Sequence, residues 1–116
     1  ANQLRKMPFQ HPQSLQEFFG AVTGAGEKKV FVQVSAEWCG PCQLIKDDMA
    51  TLAEDLAETY VFVYADVEKM EEVADTFECS TMPTFLIFKG PGAPIGRYEG
   101  GKADKIREFA VENKDK

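Results

Sequence analysis

At 116 residues, with 44% hydrophobic and 28% charged side chains, the chain has the make-up of one globular domain over residues 1–116 with a core of its own. Thirteen Lys and Arg against 19 Asp and Glu give a formal charge of −6; without a clustered basic stripe, this argues against nucleic acid or an anionic membrane surface as partner. No apolar run approaches the ~20 residues that span a bilayer, and three cysteines, only two of them close together, are not a disulfide framework. The compartment expected is a reducing one, the cytoplasm, or an organelle after removal of a presequence.

The first predicted element is a short extended piece over Gln3–Phe9, interrupted by Pro8 and followed by Pro12. Ser14-Leu15-Gln16-Glu17 has the form of a capping box, and Leu15, Phe18, Phe19 and Val22 recur at helical spacing behind it. Gly24-Ala25-Gly26 ends that helix. Val30–Val34 is apolar on both faces, as buried central strands are. From Cys42 to about Thr59, Leu44, Ile45, Met49, Leu52, Ala53 and Leu56 recur in steps of three and four and predict an amphipathic helix. Val61–Ala65 is a second central strand, and Glu71–Phe77 a short helix with Val73, Ala74 and Phe77 inward. Thr84–Phe88 is a strand, the Gly90–Pro94 turn leads to another at Ile95–Tyr98, and Ala103, Ile106, Phe109 and Ala110 stripe a final helix. The order β-α-β-α-β-α-β-β-α implies an α/β fold with a mixed sheet covered on both faces, its strand order left open.

The most informative run is Trp38-Cys39-Gly40-Pro41-Cys42, between a strand and a helix. That setting puts the first thiol at a helix N-terminus, where unpaired N–H groups stabilise a thiolate. Such a thiolate can attack a disulfide in another molecule, and the second thiol can resolve the mixed disulfide. A structural zinc half-site is the alternative for two cysteines at this spacing. Zinc needs four ligands, however, and only Cys79 and His11 are available to complete them.

With Ala36-Glu37 ahead of that run, Ala65-Asp66-Val67-Glu68, Thr81-Met82-Pro83-Thr84-Phe85, and Phe88-Lys89-Gly90 followed by Tyr98-Glu99-Gly100-Gly101, the chain resembles the thioredoxin family from the Ser14 helix to the last helix. The resemblance implies a thioredoxin fold: a central mixed, mostly parallel five-stranded sheet flanked by four helices. It implies Cys39 as nucleophile and Cys42 as resolving thiol, with a cis bond between Met82 and Pro83 holding the Met82 backbone beside them. Trp38, Gly40, Pro41, Met82, Pro83 and Gly100 would form the substrate-binding rim. No bound cofactor is expected; NADPH would act indirectly, through a flavin-containing thioredoxin reductase. The other partners implied are disulfide-containing proteins, met by a monomer. The activity implied is protein-disulfide reduction. The alternative is a redox-responsive scaffold or binding module with weak reductase activity; a glutaredoxin is disfavoured by the extra N-terminal strand–helix unit and by Gly40-Pro41.

The chain departs from the family pattern at several positions. By the resemblance, Gln33 stands where the family carries a buried aspartate that accepts the resolving thiol's proton, and Tyr64 stands where a lysine often accompanies it. An amide cannot act as a general base near neutral pH, so slow resolution is one reading of Gln33; a satisfied core amide without kinetic effect is the other. Asp47 replaces a helix-kinking proline, from which a straighter helix is expected. Ser35 replaces a bulky residue, which would open the site on that side, and the Gly90–Pro94 turn is about a residue longer than usual, with no functional effect expected. Cys79 is expected as a buried small hydrophobe, with an exposed regulatory thiol as the alternative. His11 and Glu37 are expected to be solvated, without a catalytic role.

Overall fold

The computed structural model describes residues 9–116. They form β1 (Phe9–Gln10), α1 (Leu15–Thr23), β2 (Lys29–Ser35), α2 (Gly40–Leu44), α3 (Lys46–Asp55), β3 (Tyr60–Asp66), α4 (Glu71–Thr76), β4 (Thr84–Phe88), β5 (Gly96–Glu99) and α5 (Ala103–Glu112). Of the extended piece expected over Gln3–Phe9, only Phe9 falls within the described residues, and β1 begins there.

The five strands lie in the order β1-β3-β2-β4-β5. β3 pairs in parallel with β1 and β2, while β4 runs antiparallel to both β2 and β5. Four strands therefore point one way and β4 against them, the mixed and mostly parallel sheet of the expectation.

Alternation along β2 divides the core in two. Val30, Val32 and Val34 face Phe18 and Val22 of α1 and Val73 of α4. Phe31 faces the other way, with Met49, Leu52 and Ala53 of α3 and Ile106 and Ala110 of α5. Gln33 and Ser35 follow Phe31 at two-residue steps, so they share its face at the end of the strand that runs into the cysteines.

Ser14 caps α1 by accepting the Glu17 N–H at 3.2 Å, and the Glu17 carboxylate accepts the Gln13 N–H at 2.8 Å. The return bond thus reaches one residue further back than a standard capping box. Phe19 does not point inward as its spacing suggested. Leu15, Phe18 and Val22 already complete the stripe, and Phe19 lies ~100° round the helix, exposed but edge-on to Phe18.

The helix after the cysteines departs most from expectation. Instead of one straight helix to Thr59 there are two, α2 and α3, separated at Ile45, whose ψ of 9° breaks the helical path. The flanking helices therefore number five rather than four. Ile45 is buried among Met49 and Leu52, whereas Leu44, expected inward, is 84% exposed. The break places Asp47 and Asp48 in the first turn of α3, where free N–H groups favour carboxylates. A proline is one way to start that second helix; paired aspartates are another. α3 ends at Asp55, with Leu56 as its cap.

α5 is tied to the sheet by the Tyr60 hydroxyl, which donates to the Ala110 carbonyl at 2.6 Å within the core. Burial raises the Tyr60 pKa to about 12, with the Asp115 carboxylate contributing in the same direction. Tyr60→Phe leaves that carbonyl unpaired and is expected to lower stability by about 1–2 kcal/mol in urea denaturation. Because the folded-state pKa lies above the unfolded ~10, the advantage of the wild type is complete below pH 10. It shrinks as pH rises toward 12. A gap between the two proteins that stays constant to pH 12 would refute this.

Candidate active site

β2 ends at Ser35, and the turn through Ala36 and Glu37 delivers Cys39 to the N-cap position of α2. Cys39 has extended backbone angles, φ −83° and ψ 113°, and its sulfur accepts the Cys42 N–H at 3.2 Å. Pro41 sits in the first turn, where its missing N–H leaves no helical bond unmade. Cys39 and Cys42 are joined as a disulfide, their Cα atoms 5.3 Å apart. They are only 5% and 3% exposed, so the pair meets solvent over a small window.

The two sulfurs look in different directions. Cys39 Sγ lies 3.6 Å from the Met82 carbonyl oxygen, and Ala36, Val67 and Met82 pack against the pair. The Met82–Pro83 peptide bond is cis. The Pro83 carbonyl accepts the Gly100 N–H at 3.1 Å, which fastens the β5 end to this side of the site. Trp38 is 66% exposed, and Gly40 and Pro41 are exposed beside it. Of the predicted rim residues, Met82 thus touches Cys39 directly, Trp38, Gly40 and Pro41 adjoin it along the chain, and Gly100 is bonded to Pro83.

Gly101, part of the quoted motif but not of the expected rim, also lies against this side of the site. A Cβ there would stand 3.2 Å from Pro41 Cβ and 3.8 Å from Pro83 Cδ. Two adjacent glycines after a strand are the sequence signal for such close backbone approach.

Cys42 faces a separate cleft of about 620 Å³, which Gln33, Tyr64, Met49, Gln43, Lys46, Glu37 and His11 help to line. Gln33 and Tyr64 are register partners on β2 and β3, so one rung of the sheet carries both side chains under α2. Gln33 is buried and its Nε2 donates to the buried Ser35 Oγ at 2.9 Å. Burial, with the Asp66 and Glu37 charges, pushes the Tyr64 hydroxyl pKa up, against a smaller opposing effect from its hydrogen bond with Ser35. The position is thus a neutral, hydrogen-bonded polar cluster. Ser35, the small residue expected to open the site, is itself fully buried as the partner of Gln33.

Cys79 is a free thiol 6% exposed, and burial raises its pKa. It packs with Val73, Leu86 and Phe88 as a small apolar residue, away from the disulfide. Glu37 is exposed as expected. His11 is exposed too, but its ring lies 5.4 Å from that of Tyr64, and both line the cleft behind Cys42.

The thioredoxin family model matches residues 11–112. Pig (Sus scrofa) thioredoxin is 39% identical over 94 residues, covering 81% of this chain and 88% of the relative. Human thioredoxin is 37% identical over the same shares. The crystal structure of Schistosoma mansoni thioredoxin superposes with a TM-score of 0.82 at 28% identity, covering 90% of this chain and 94% of that one. The chain belongs to the thioredoxin family. Its fold is the thioredoxin fold, and its activity is that of a protein-disulfide oxidoreductase working through the Cys39–Cys42 pair.

The two rim glycines of this thioredoxin separate backbone need from open space. Gly100 has φ 137°, and a Cβ there would meet the Tyr98 hydroxyl at 3.3 Å; Gly40 has nothing within 4 Å of its virtual Cβ. Gly100→Ala is expected to destabilise the oxidised protein by about 1–3 kcal/mol. Gly40→Ala should stay within about 0.5 kcal/mol. Equal midpoints for both variants in urea would contradict this assignment.

Proposed function

We propose that Cys39 is the attacking thiolate and Cys42 the resolving thiol of a reducing thioredoxin that is recharged by an NADPH-dependent flavin reductase. The observation that carries the division of labour is the Cys42 N–H directed at the Cys39 sulfur. That contact stabilises negative charge on Cys39 once the disulfide is reduced. No equivalent donor to the Cys42 sulfur is seen among the described residues. The exchange begins when the Cys39 thiolate attacks a substrate disulfide and expels one substrate sulfur. Cys42 then attacks Cys39 Sγ, the intermolecular S–S bond breaks, and two electrons have passed to the substrate.

An extended substrate peptide would lie along the rim formed by Trp38, Met82 and Gly100. The half-buried Met82 offers backbone there for strand-like pairing. The absence of His at position 41, where Pro41 stands, fits the reducing branch of the chemistry. The working unit on this reading is a monomer in the cytoplasm or in an organelle, meeting disulfide-bearing proteins and the reductase through the same rim.

Insulin-disulfide reduction tests the reading. Turnover is expected with dithiothreitol and also with NADPH plus thioredoxin reductase, and Cys39→Ser should abolish both. Negligible turnover with either reductant would favour a redox-responsive scaffold instead; activity with dithiothreitol alone would remove the flavin reductase from the account.

Gln33 is neutral and already donates to Ser35, so it cannot take a proton from Cys42. Placing a carboxylate there supplies a base beside the cleft. Gln33→Asp is therefore expected to raise insulin turnover about tenfold at pH 7, below the ~10²–10⁴ of a fully optimised general base. An unchanged or slower rate would make Gln33 a core amide with no kinetic role.

A further inference from the structure

The reaction above leaves one proton without a destination. Cys42 must lose it before its sulfur can attack, yet the sheet side chains of this cluster, Gln33, Ser35 and Tyr64, are neutral, with the Gln33 amide donating to Ser35 Oγ and the Tyr64 hydroxyl pKa raised, so none of them is a base near pH 7. The cleft behind Cys42 has other occupants. Lys46 comes from α3, Lys69 from the loop after β3, Asp66 from the end of β3, Glu37 from the turn before Cys39, and His11 from the loop after β1. The ammonium groups of Lys46 and Lys69 have no lone pair to offer, and Lys69 Nζ is turned to Gln13 Oε1 at 2.7 Å. One Asp66 oxygen accepts the Glu68 N–H at 2.9 Å. The remaining base whose ordinary pKa lies near neutral pH is an imidazole, and His11 is the chain's single histidine.

Its position is specific. Register pairs Gln33 with Tyr64, and the His11 ring lies against Tyr64, 5.4 Å between centroids at a 32° tilt. The neighbouring Pro12 is buried and restricts the loop that carries the ring. His11 and Cys42 both line the cleft of about 620 Å³, whose walls carry amide, hydroxyl and charged groups alongside apolar ones. At ~30 Å³ per molecule it has room for a short chain of water, and Gln33, Tyr64, Glu37 and Gln43 offer that water polar partners among apolar neighbours such as Phe9 and Met49.

We propose that His11 accepts the proton of the Cys42 thiol through water in this cleft, taking over from outside the core the role that Gln33 cannot perform. The inference rests on Cys42 being the resolving thiol. In balanced form, the Cys42 S–H proton passes along the water to the neutral imidazole nitrogen. The Cys42 thiolate attacks Cys39 Sγ; the bond between Cys39 and the substrate sulfur breaks, and that sulfur leaves with the electron pair as a thiolate. His11, exposed on its other side, then returns the proton to bulk solvent. Tyr64 is the positioning residue, holding the ring over the cleft. Burial and the Lys69 charge both lower the His11 pKa below 6.5, which keeps the imidazole neutral and receptive at pH 7.

Stopped-flow reaction of the fully reduced protein with one equivalent of 5,5′-dithiobis(2-nitrobenzoate) separates the two steps. Attack by Cys39 releases the first nitrothiolate, and resolution by Cys42 releases the second in a concentration-independent phase. His11→Gln is expected to slow the second phase about tenfold at pH 7, leave the first unchanged, and remove the acid limb that the wild type shows below pH 6.5. His11→Phe keeps a ring against Tyr64 and should be as slow as His11→Gln; recovery by Phe would mean that the ring only packs. Gln33→Asp added to His11→Gln should restore the rate, whereas Glu37→Gln and Asp66→Asn should keep the acid limb. A second phase in His11→Gln that matches the wild type from pH 5 to 8 overturns the proposal. Absence of the first phase in the wild type would instead overturn the assignment of Cys39.

Discussion

The contact between the Cys42 N–H and the Cys39 sulfur is the point on which the remaining structure converges. It exists because β2 delivers Cys39 to a helix start in an extended conformation, with one turn of helix folding back above it. β2 is positioned in turn by being the middle strand, paired with β3 on one side and β4 on the other and covered on both faces. The strand that carries the chemistry is thus the one the fold has least freedom to move. A strongly packed platform can hold a partly exposed, reactive group because the platform, and not the group, supplies the stability.

Around that contact the site has two sides with different physical character. Cys39 looks toward Met82, with exposed Trp38 beside it in the chain and Gly101 closely approaching Pro41. Cys42 looks toward a cleft of mixed lining that includes Gln33, Tyr64, Glu37, Lys46, Asp66 and Met49. The neutral floor of the cleft is consistent with itself: an aspartate without the lysine, or a lysine without the aspartate, would leave an unpaired charge under α2. Gln33 with Ser35 satisfies its hydrogen bonding without any charge, and no buried side-chain nitrogen or oxygen among the described residues lacks a partner.

Much of this was legible in the sequence, and what was not has identifiable causes. β4 is Thr84–Phe88 in both readings because a buried run of Thr84 and four apolar residues is bounded tightly by Pro83 and by Lys89-Gly90. The cysteine pair, Trp38 and the Met82-Pro83 step were visible as local motifs. Hydrophobic periodicity assigned Leu44 and Phe19 inward because it records spacing and not the width of the stripe available. The break at Ile45 was missed because proline was treated as the only signal for it, when a buried isoleucine followed by two aspartates serves as well. The relation of His11 to Tyr64 joins residues 53 positions apart. No periodicity carries such a pairing; it appears only when β1 is laid beside β3.

The break at Ile45 also bears on how the pair meets its surroundings. A helix uninterrupted from Gly40 would carry Leu44 and Ile45 onward at a fixed 100° per residue. With ψ of 9° at Ile45 the direction changes there, so Ile45 remains anchored to Met49 and Leu52 while the short first segment is set by the disulfide and by Pro41. Leu44 is left outward, on the same five-residue segment as Cys42. Core packing through α3 and presentation of the cysteines through α2 are thereby separated by one residue. The core-facing residues of α3, Met49, Leu52 and Ala53, answer to the packing below them, while the sulfur pair is set by a strand end, a proline, one amide and the contacts of Ala36, Val67 and Met82.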